Sequence, residues 1–511
     1  MDVSNKIEMI DTKTPNAIVA SKRTETVNAD TFARNAKSLL TVLLLSLLLI
    51  SGAIWTLFEA IDATVPTESE YFTALTFEGF YFAAAILVRY FRRPIYMFEP
   101  YVMITVVYIL VYHVAAVFQL TAGETARYGV DSTKYALIGC TFVVLGHIAF
   151  SVAYGLESNS GSKKRNKAFY KDVKKEHTII KAAYIIYFIS LALYLAYQLS
   201  RGFSLSYVLS GGLASQGQLA VNDSPLSFLS YCSYSLISAW FLIYMFGRNR
   251  TVKLATGFMM LGIVFFGGSR APLLIPLLAC AALHYIRKKS SPALTNVLAL
   301  ISALVLIFAV MQVARVGIRT GAGLDMQGVD MAGLFEPFYA EIDDFKVYYG
   351  VFAIVPNLHP LLFGRQMILG SLTLFIPRAI WPGKPQPMIY EIINLLYGQK
   401  AVLDGVAYPN LSEYYVEFGF AGIIVCMFIL GLLCRYCRGL FTEGGKSSLA
   451  LALYCVIFPA LFQVIIRGYM PQNFSMLVFL LAPIIIVELL NKGNCEKPNE
   501  LLRNNRRYRT R

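Results

Sequence analysis

Apolar runs long enough to cross a bilayer recur along the whole chain, and this pattern constrains the fold more than any other feature. They lie near 38–58, 71–88, 96–118, 135–155, 178–199, 226–246, 252–266, 271–286, 293–313, 414–433, 449–466 and 473–490. A helix of about 20 residues crosses ~30 Å of hydrocarbon, so the runs predict an all-α polytopic membrane protein with about twelve transmembrane helices. The pair at 252–266 and 271–286 is short, and one member is expected to be tilted, kinked or partly re-entrant. The 511 residues are 57% hydrophobic and 15% charged, and the mean hydropathy of +0.57 excludes an ordinary soluble protein. No A-x-A type cleavage site follows the run at 38–58, which therefore reads as a retained anchor.

The formal charge of +14 suggests nucleic acid only if its location is ignored. Lys6, Lys13, Lys22, Arg23, Arg34 and Lys37 precede the first span. Arg89, Arg92 and Arg93, the run Lys163 to Lys175, Arg248, Arg250 and Lys253 fall on the same side of an alternating topology. So do Arg287 to Lys289, Arg435, Arg438, Lys446 and the tail from Lys492 to Arg511. Cations mark cytoplasmic loops, so both termini are expected in the cytoplasm and the long loop outside. The organisation that follows is a tail at 1–36, nine spans within 37–313, a large outer loop at 314–413, three spans within 414–490, and a basic tail at 491–511.

Within the loop, Val347–Val355 and Met367–Ile376 are apolar runs too short to span, and a structureless connection of this length is rare. Short helices capping a cavity are expected there. No repeat relates the two halves, which weighs against transporters built by duplication. Eight cysteines lie in apolar runs or basic flanks, with no disulfide pattern, and the C-x-x-C at Cys434 and Cys437 lacks the further ligands of a zinc site. No Walker loop, dinucleotide fingerprint or H-E-x-x-H motif is present.

The cations on the outer side carry the chemical argument, because the positive-inside rule gives no reason for them. Among them are Arg270, Arg315, Arg319, Arg378, Lys384 and Arg467. Arg378 and Lys384 are held among Pro377, Pro382 and Pro385, whose rings stiffen the backbone, and Trp381 between them suits a membrane interface. Fixed guanidinium groups neutralise a departing pyrophosphate without a metal, whereas the bland alternative is that each cation snorkels to lipid phosphates. A sugar hydroxyl acting as nucleophile also needs a base. Glu413 and Glu417, four residues apart at the mouth of the tenth span, share one helical face. The denser cluster of Glu341, Asp343 and Asp344 is more simply a solvated face. Glu78 and His147 lie inside spans, where ionisable groups mark function by default; for His147 a buried structural role is the simpler reading.

The segment Phe375 to Pro385, FIPRAIWPGKP, resembles one found in bacterial O-antigen and oligosaccharide repeat-unit polymerases of the Wzy type. The turn Gly267 to Arg270 resembles their outward-facing arginine turn. Leu411 to Gly419, LSEYYVEFG, followed by Gly422, resembles the start of the span after their large loop. The likeness covers about residues 250–470, and the earlier part contributes topology alone. It implies a GT-C-like membrane glycosyltransferase of the bacterial inner membrane, moving a growing glycan from undecaprenyl pyrophosphate to the terminal sugar of a new lipid-linked repeat. It carries phosphate binding to Arg270, Arg378 and Lys384; chemistry alone adds Arg315, Arg319 and Arg467. The base is not settled by motif, with Glu413 the first choice and His359 the second. The implied partners are the undecaprenyl-pyrophosphate-linked oligosaccharide, membrane lipid and a chain-length regulator. Nucleic acid, metal and cofactor are not called for. An O-antigen ligase shares donor and loop, and a lipid-linked oligosaccharide flippase shares the span count. Cations gathered on one side and a dominant loop favour the enzyme.

Overall fold

The computed structural model describes residues 68–92, 96–121, 125–156, 176–200, 227–266, 271–288, 343–373, 387–404, 406–443 and 448–507, with isolated positions between 290 and 302 and at 375–376 and 380–381. The expected first span, most of the ninth, the loop up to residue 342 and the candidates Arg270, Arg315, Arg319, Arg378 and Lys384 lie outside the described residues. The described chain begins with α1 (Glu68–Arg92) and α2 (Pro100–Tyr108), which continues through a π-helical stretch, Ile109–Val114, into α3 (Ala115–Thr121). Then come α4 (Ala136–Gly155), α5 (Glu176–Ser200), α6 (Cys232–Phe246), α7 (Arg250–Phe266), α8 (Ala271–Lys288) and α9 (Asp344–Ile354). The order closes with α10 (Met388–Tyr397), α11 (Gln399–Asp404), α12 (Asn410–Glu443), α13 (Ser448–Ile466) and α14 (Met470–Arg507).

Eight helices among the described residues are long and apolar enough to cross a membrane, and all eight were expected from the apolar runs. Helices suit lipid because they satisfy every internal N–H and C=O within the segment. The short pair, α7 and α8, is helical but runs to only 17 and 18 residues and falls outside that set. Pro276 lies inside α8, whose last turn carries Arg287 and Lys288. One departure from all-α is a two-residue ribbon, β1 (Ala126–Arg127) paired antiparallel with β2 (Val130–Asp131). Tyr128 and Gly129, at φ 50° and 79°, supply the two positive φ values that a tight hairpin turn requires.

α4 and α12 make the most extensive helix pair. Their backbones come close where Gly431 faces Phe150: a Cβ there would sit 2.5 Å from the Phe150 carbonyl oxygen. Small residues at such crossings let dispersion act over long stretches of main chain. At the far end of this pair a buried carboxylate binds three helices together. Glu99, the residue just before α2, forms an ion pair with Arg89 of α1, accepts the Tyr154 hydroxyl of α4 at 2.7 Å and lies 3.6 Å from Arg438 of α12. Arg89 and Arg438, assigned to one side by the charge pattern, therefore meet at one end of the bundle.

The opposite end is where the loop folds. α9 is sunk into the bundle, with ten of its eleven residues buried. Tyr348 donates to the Gly139 carbonyl at 3.2 Å, Tyr349 meets Cys140 at 3.4 Å and Tyr71 edge-on, and Phe352 packs on Tyr415. The apolar run Val347–Val355, too short to span, thus forms a buried helix. Asp343 and Asp344 are not a solvated face. Arg127 of β1 reaches both at 3.7 and 3.6 Å, and Lys346 meets Asp343 at 3.0 Å. A charge run is solvated only when no opposite charges close over it, and here the ribbon supplies Arg127 and α9 itself Lys346.

Candidate functional site

α12 begins at Asn410, four residues ahead of the apolar run, so Glu413 and Glu417 stand in its first two turns. Asn410 is fully buried, accepts the Tyr112 hydroxyl at 3.1 Å and donates to Tyr108 at 3.0 Å. The helix then breaks at Gly419, where φ is 66° and ψ is −156°. A left-handed residue there strands the carbonyls of the preceding turn. Those of Val416 and Glu417 are taken instead by the N–H groups of Leu362, at 3.1 Å, and Phe363, at 2.8 Å. The loop is thereby laid along the helix mouth, and Tyr415 fixes its earlier part by donating to the Val355 carbonyl at 3.0 Å.

The two glutamates of the shared face both hold main chain. Glu417 accepts the N–H groups of Gly364 and Met367, each at 2.7 Å, and so caps the π-helical turn Arg365–Gly370. Glu413, 3% exposed, accepts the Met470 N–H with its two oxygens at 2.9 and 2.8 Å, at the first residue of α14. A carboxylate on the free N–H groups of a helix start is the favourable electrostatic arrangement. The turn from α13 to α14 folds over the start of α12 because Gly468 donates to the Tyr408 carbonyl at 2.7 Å. A Cβ at Gly468 would lie 2.1 Å from the Asn410 Cα, so this approach requires glycine.

Of the candidates within the described residues, Glu413 and Arg467 are therefore brought to one place. Arg467 is half-buried in the same turn, its carbonyl accepting the Asn473 amide at 2.5 Å. Tyr469, next along, accepts a hydrogen bond from Gln366 at 2.6 Å, joining the turn to the loop. Burial, and after it the Glu413 carboxylate, pushes the Tyr469 phenol well above its usual range, so it stays neutral. His359 belongs to a different part of the loop. It is buried, with Nε2 4.0 Å from Glu391 of α10 and Nδ1 without a hydrogen-bond partner among the described residues.

His147, by contrast, is satisfied on both ring nitrogens, by Tyr81 at 2.7 Å and Thr105 at 3.0 Å, which fits the structural reading. Glu78 lies 3.5 Å from His113 of the π-helical stretch. The sequence reading passed over Arg365, an exposed cation two residues ahead of the apolar run Met367–Ile376, and the pairing of Gln366 with Tyr469. The one available signal was Gly364 directly before Arg365, at φ 84°.

Bundled apolar helices, closed at one end by a folded loop that carries buried carboxylates and cations, define a polytopic membrane protein with its candidate site at that end. A family model of the O-antigen polysaccharide polymerase Wzy matches residues 40–494, nearly the whole chain, and the protein belongs to that family. Membership supports a membrane enzyme that polymerises lipid-linked oligosaccharide repeat units. No curated protein and no solved structure matches the chain.

Proposed function

We propose that the protein polymerises lipid-linked repeat units of a bacterial surface polysaccharide, taking the growing glycan from undecaprenyl pyrophosphate and joining it to the terminal sugar of a new lipid-linked repeat. The family match over residues 40–494 carries this reading. The loop-bearing end is assigned to the outer face of the inner membrane, with both termini in the cytoplasm, because Arg89 and Arg438 meet at the other end. In the reaction the bond between the donor's anomeric carbon and the pyrophosphate oxygen breaks, and a bond forms from that carbon to the acceptor hydroxyl. The hydroxyl proton passes to a base, and the negative charge stays on the pyrophosphate.

Cations held in place stabilise that charge more than water does, because they need not reorganise as it develops. Arg270, Arg315, Arg319, Arg378, Lys384 and Arg467 are assigned this role. Glu413 is the first candidate for the base: it stands in the first turn of α12 beside the Arg467 turn, and each of its oxygens keeps a lone pair beyond the Met470 N–H. His359, facing Glu391, is the second. The purified protein, given a lipid-pyrophosphate-linked repeat unit, is expected to form a ladder of longer lipid-linked glycans that Arg378→Ala and Arg270→Ala abolish. Glu413→Gln keeps an acceptor for Met470 but removes the base, so loss of the ladder with substrate binding intact supports Glu413. A wild type that forms no ladder but moves the substrate across a vesicle membrane refutes the polymerase reading in favour of a transporter.

A further inference from the structure

The segment Arg365–Gly370 continues into a single helical turn, Ser371–Thr373, and its two sides are opposite in character. The inner side is fully engaged: Glu417 takes the Gly364 and Met367 N–H groups, Gln366 meets Tyr469, and Ser371 donates to the Met367 carbonyl at 2.5 Å. The outer side carries Arg365, Ile368, Leu369 and Leu372, while Gly364 and Ser371 are buried and Gln366, Met367 and Gly370 partly so. All four are exposed, Leu372 at 61%, and Phe363 beside them at 75%. Arg365 has no side-chain partner among the described residues. This face is unlike the exposed leucines of the spans, because the segment does not span and lies where α12 and α14 begin.

A fixed cation at one end of an apolar face complements an amphiphile with an anionic head. We propose that Arg365 binds the phosphate of the isoprenoid lipid that carries the glycan, and that Ile368, Leu369 and Leu372 form a ledge for the first part of its chain. This inference rests on the polymerase reading and adds a ligand site to it. The head group meets the guanidinium and not the helix end, since Glu417 already occupies the free N–H groups. Its continuity with the candidate site selects the substrate lipid over bulk phospholipid. Glu417, which caps the segment, is one turn from Glu413, and Gln366 is bonded to Tyr469, two residues from Arg467. A lipid on this ledge would enter with its phosphate leading toward the α13–α14 turn.

The test is equilibrium binding of undecaprenyl pyrophosphate to the purified full chain in detergent. Variants are Arg365→Ala, Arg365→Lys and the double Leu369→Ser/Leu372→Ser, with phosphatidylglycerol and inorganic pyrophosphate as comparison ligands and thermal unfolding as a check on folding. Arg365→Ala is expected to weaken binding by about tenfold, as for loss of one charge-assisted contact, with Lys retaining most of it. The double variant is expected to weaken undecaprenyl pyrophosphate but leave inorganic pyrophosphate unchanged. Equal weakening of phosphatidylglycerol would make the ledge a general anionic-lipid contact and overturn the assignment. Wild-type affinity in Arg365→Ala, with glycan ladders still formed, overturns the inference and leaves the polymerase reading standing. Absence of both binding and ladders in the wild type overturns the two together.

Discussion

Replacing Glu417 by alanine probes the attachment of the loop to the helix mouth. The side chain is fully buried and accepts two backbone N–H groups at 2.7 Å. A hydrogen bond to a charged acceptor is worth roughly 1.5–3 kcal/mol, so removing both costs about 3–6 kcal/mol if neither N–H finds water. Solvent at this end of the bundle recovers part of it, and about 3 kcal/mol is a reasonable expectation, or a factor of roughly 100 in local opening. The loss is local, because the Leu362 and Phe363 N–H groups still reach the carbonyls stranded by the break at Gly419. Hydrogen exchange in detergent should therefore show Gly364 and Met367 losing most protection, Leu362 and Phe363 less, and the middle of α12 none. Glu417→Gln, which retains one acceptor oxygen, should fall about halfway on a logarithmic scale. Wild-type exchange at Gly364 and Met367, or a uniform rise along the whole of α12, would refute the argument.

Two further outcomes follow from the packing. Gly468→Ala places a Cβ 2.1 Å from the Asn410 Cα, a main-chain atom that cannot swing aside. It should destabilise by about 1–3 kcal/mol and lower polymerisation, read as a fall in midpoint temperature together with loss of glycan ladders. Glu99→Ala leaves Arg89, Arg438 and the Tyr154 hydroxyl facing a vacated site; it should cost about 3–5 kcal/mol in thermal unfolding, and an unchanged midpoint would refute the hub.

Eight of the expected spans were legible because apolar length is a local property, and the i,i+4 placement of Glu413 and Glu417 because a helix imposes it. What those carboxylates hold was not legible, since the N–H groups they accept lie 53 and 57 residues away in the chain. Nor was the start of α12 at Asn410, where a polar first turn is stabilised by Tyr108 and Tyr112 from another helix. Arg365 was hidden by its neighbours: a cation just ahead of Met367, Ile368 and Leu369 reads as the edge of an apolar run, and only the folded segment reveals that it is exposed on the same side as Ile368 and Leu369. The burial of Asp343 and Asp344 was hidden for the same reason: Lys346 is a local i,i+3 partner, but Arg127 comes from a ribbon more than 200 residues earlier that no local pattern announces.

The burial of α9 bears on the order in which this protein can be made. Its tyrosines close against Gly139 and Cys140, both 209 residues earlier in the chain. A ribosome feeding spans into the membrane from the amino terminus delivers α1 and α4 long before the helix that fills the groove between them. The early spans must wait with that groove open, or lined by lipid, until residues 344–354 have emerged and turned back into the bundle. Synthesis that stops anywhere before α9 leaves the amino-terminal spans incompletely packed, and these are the species that membrane quality control would meet.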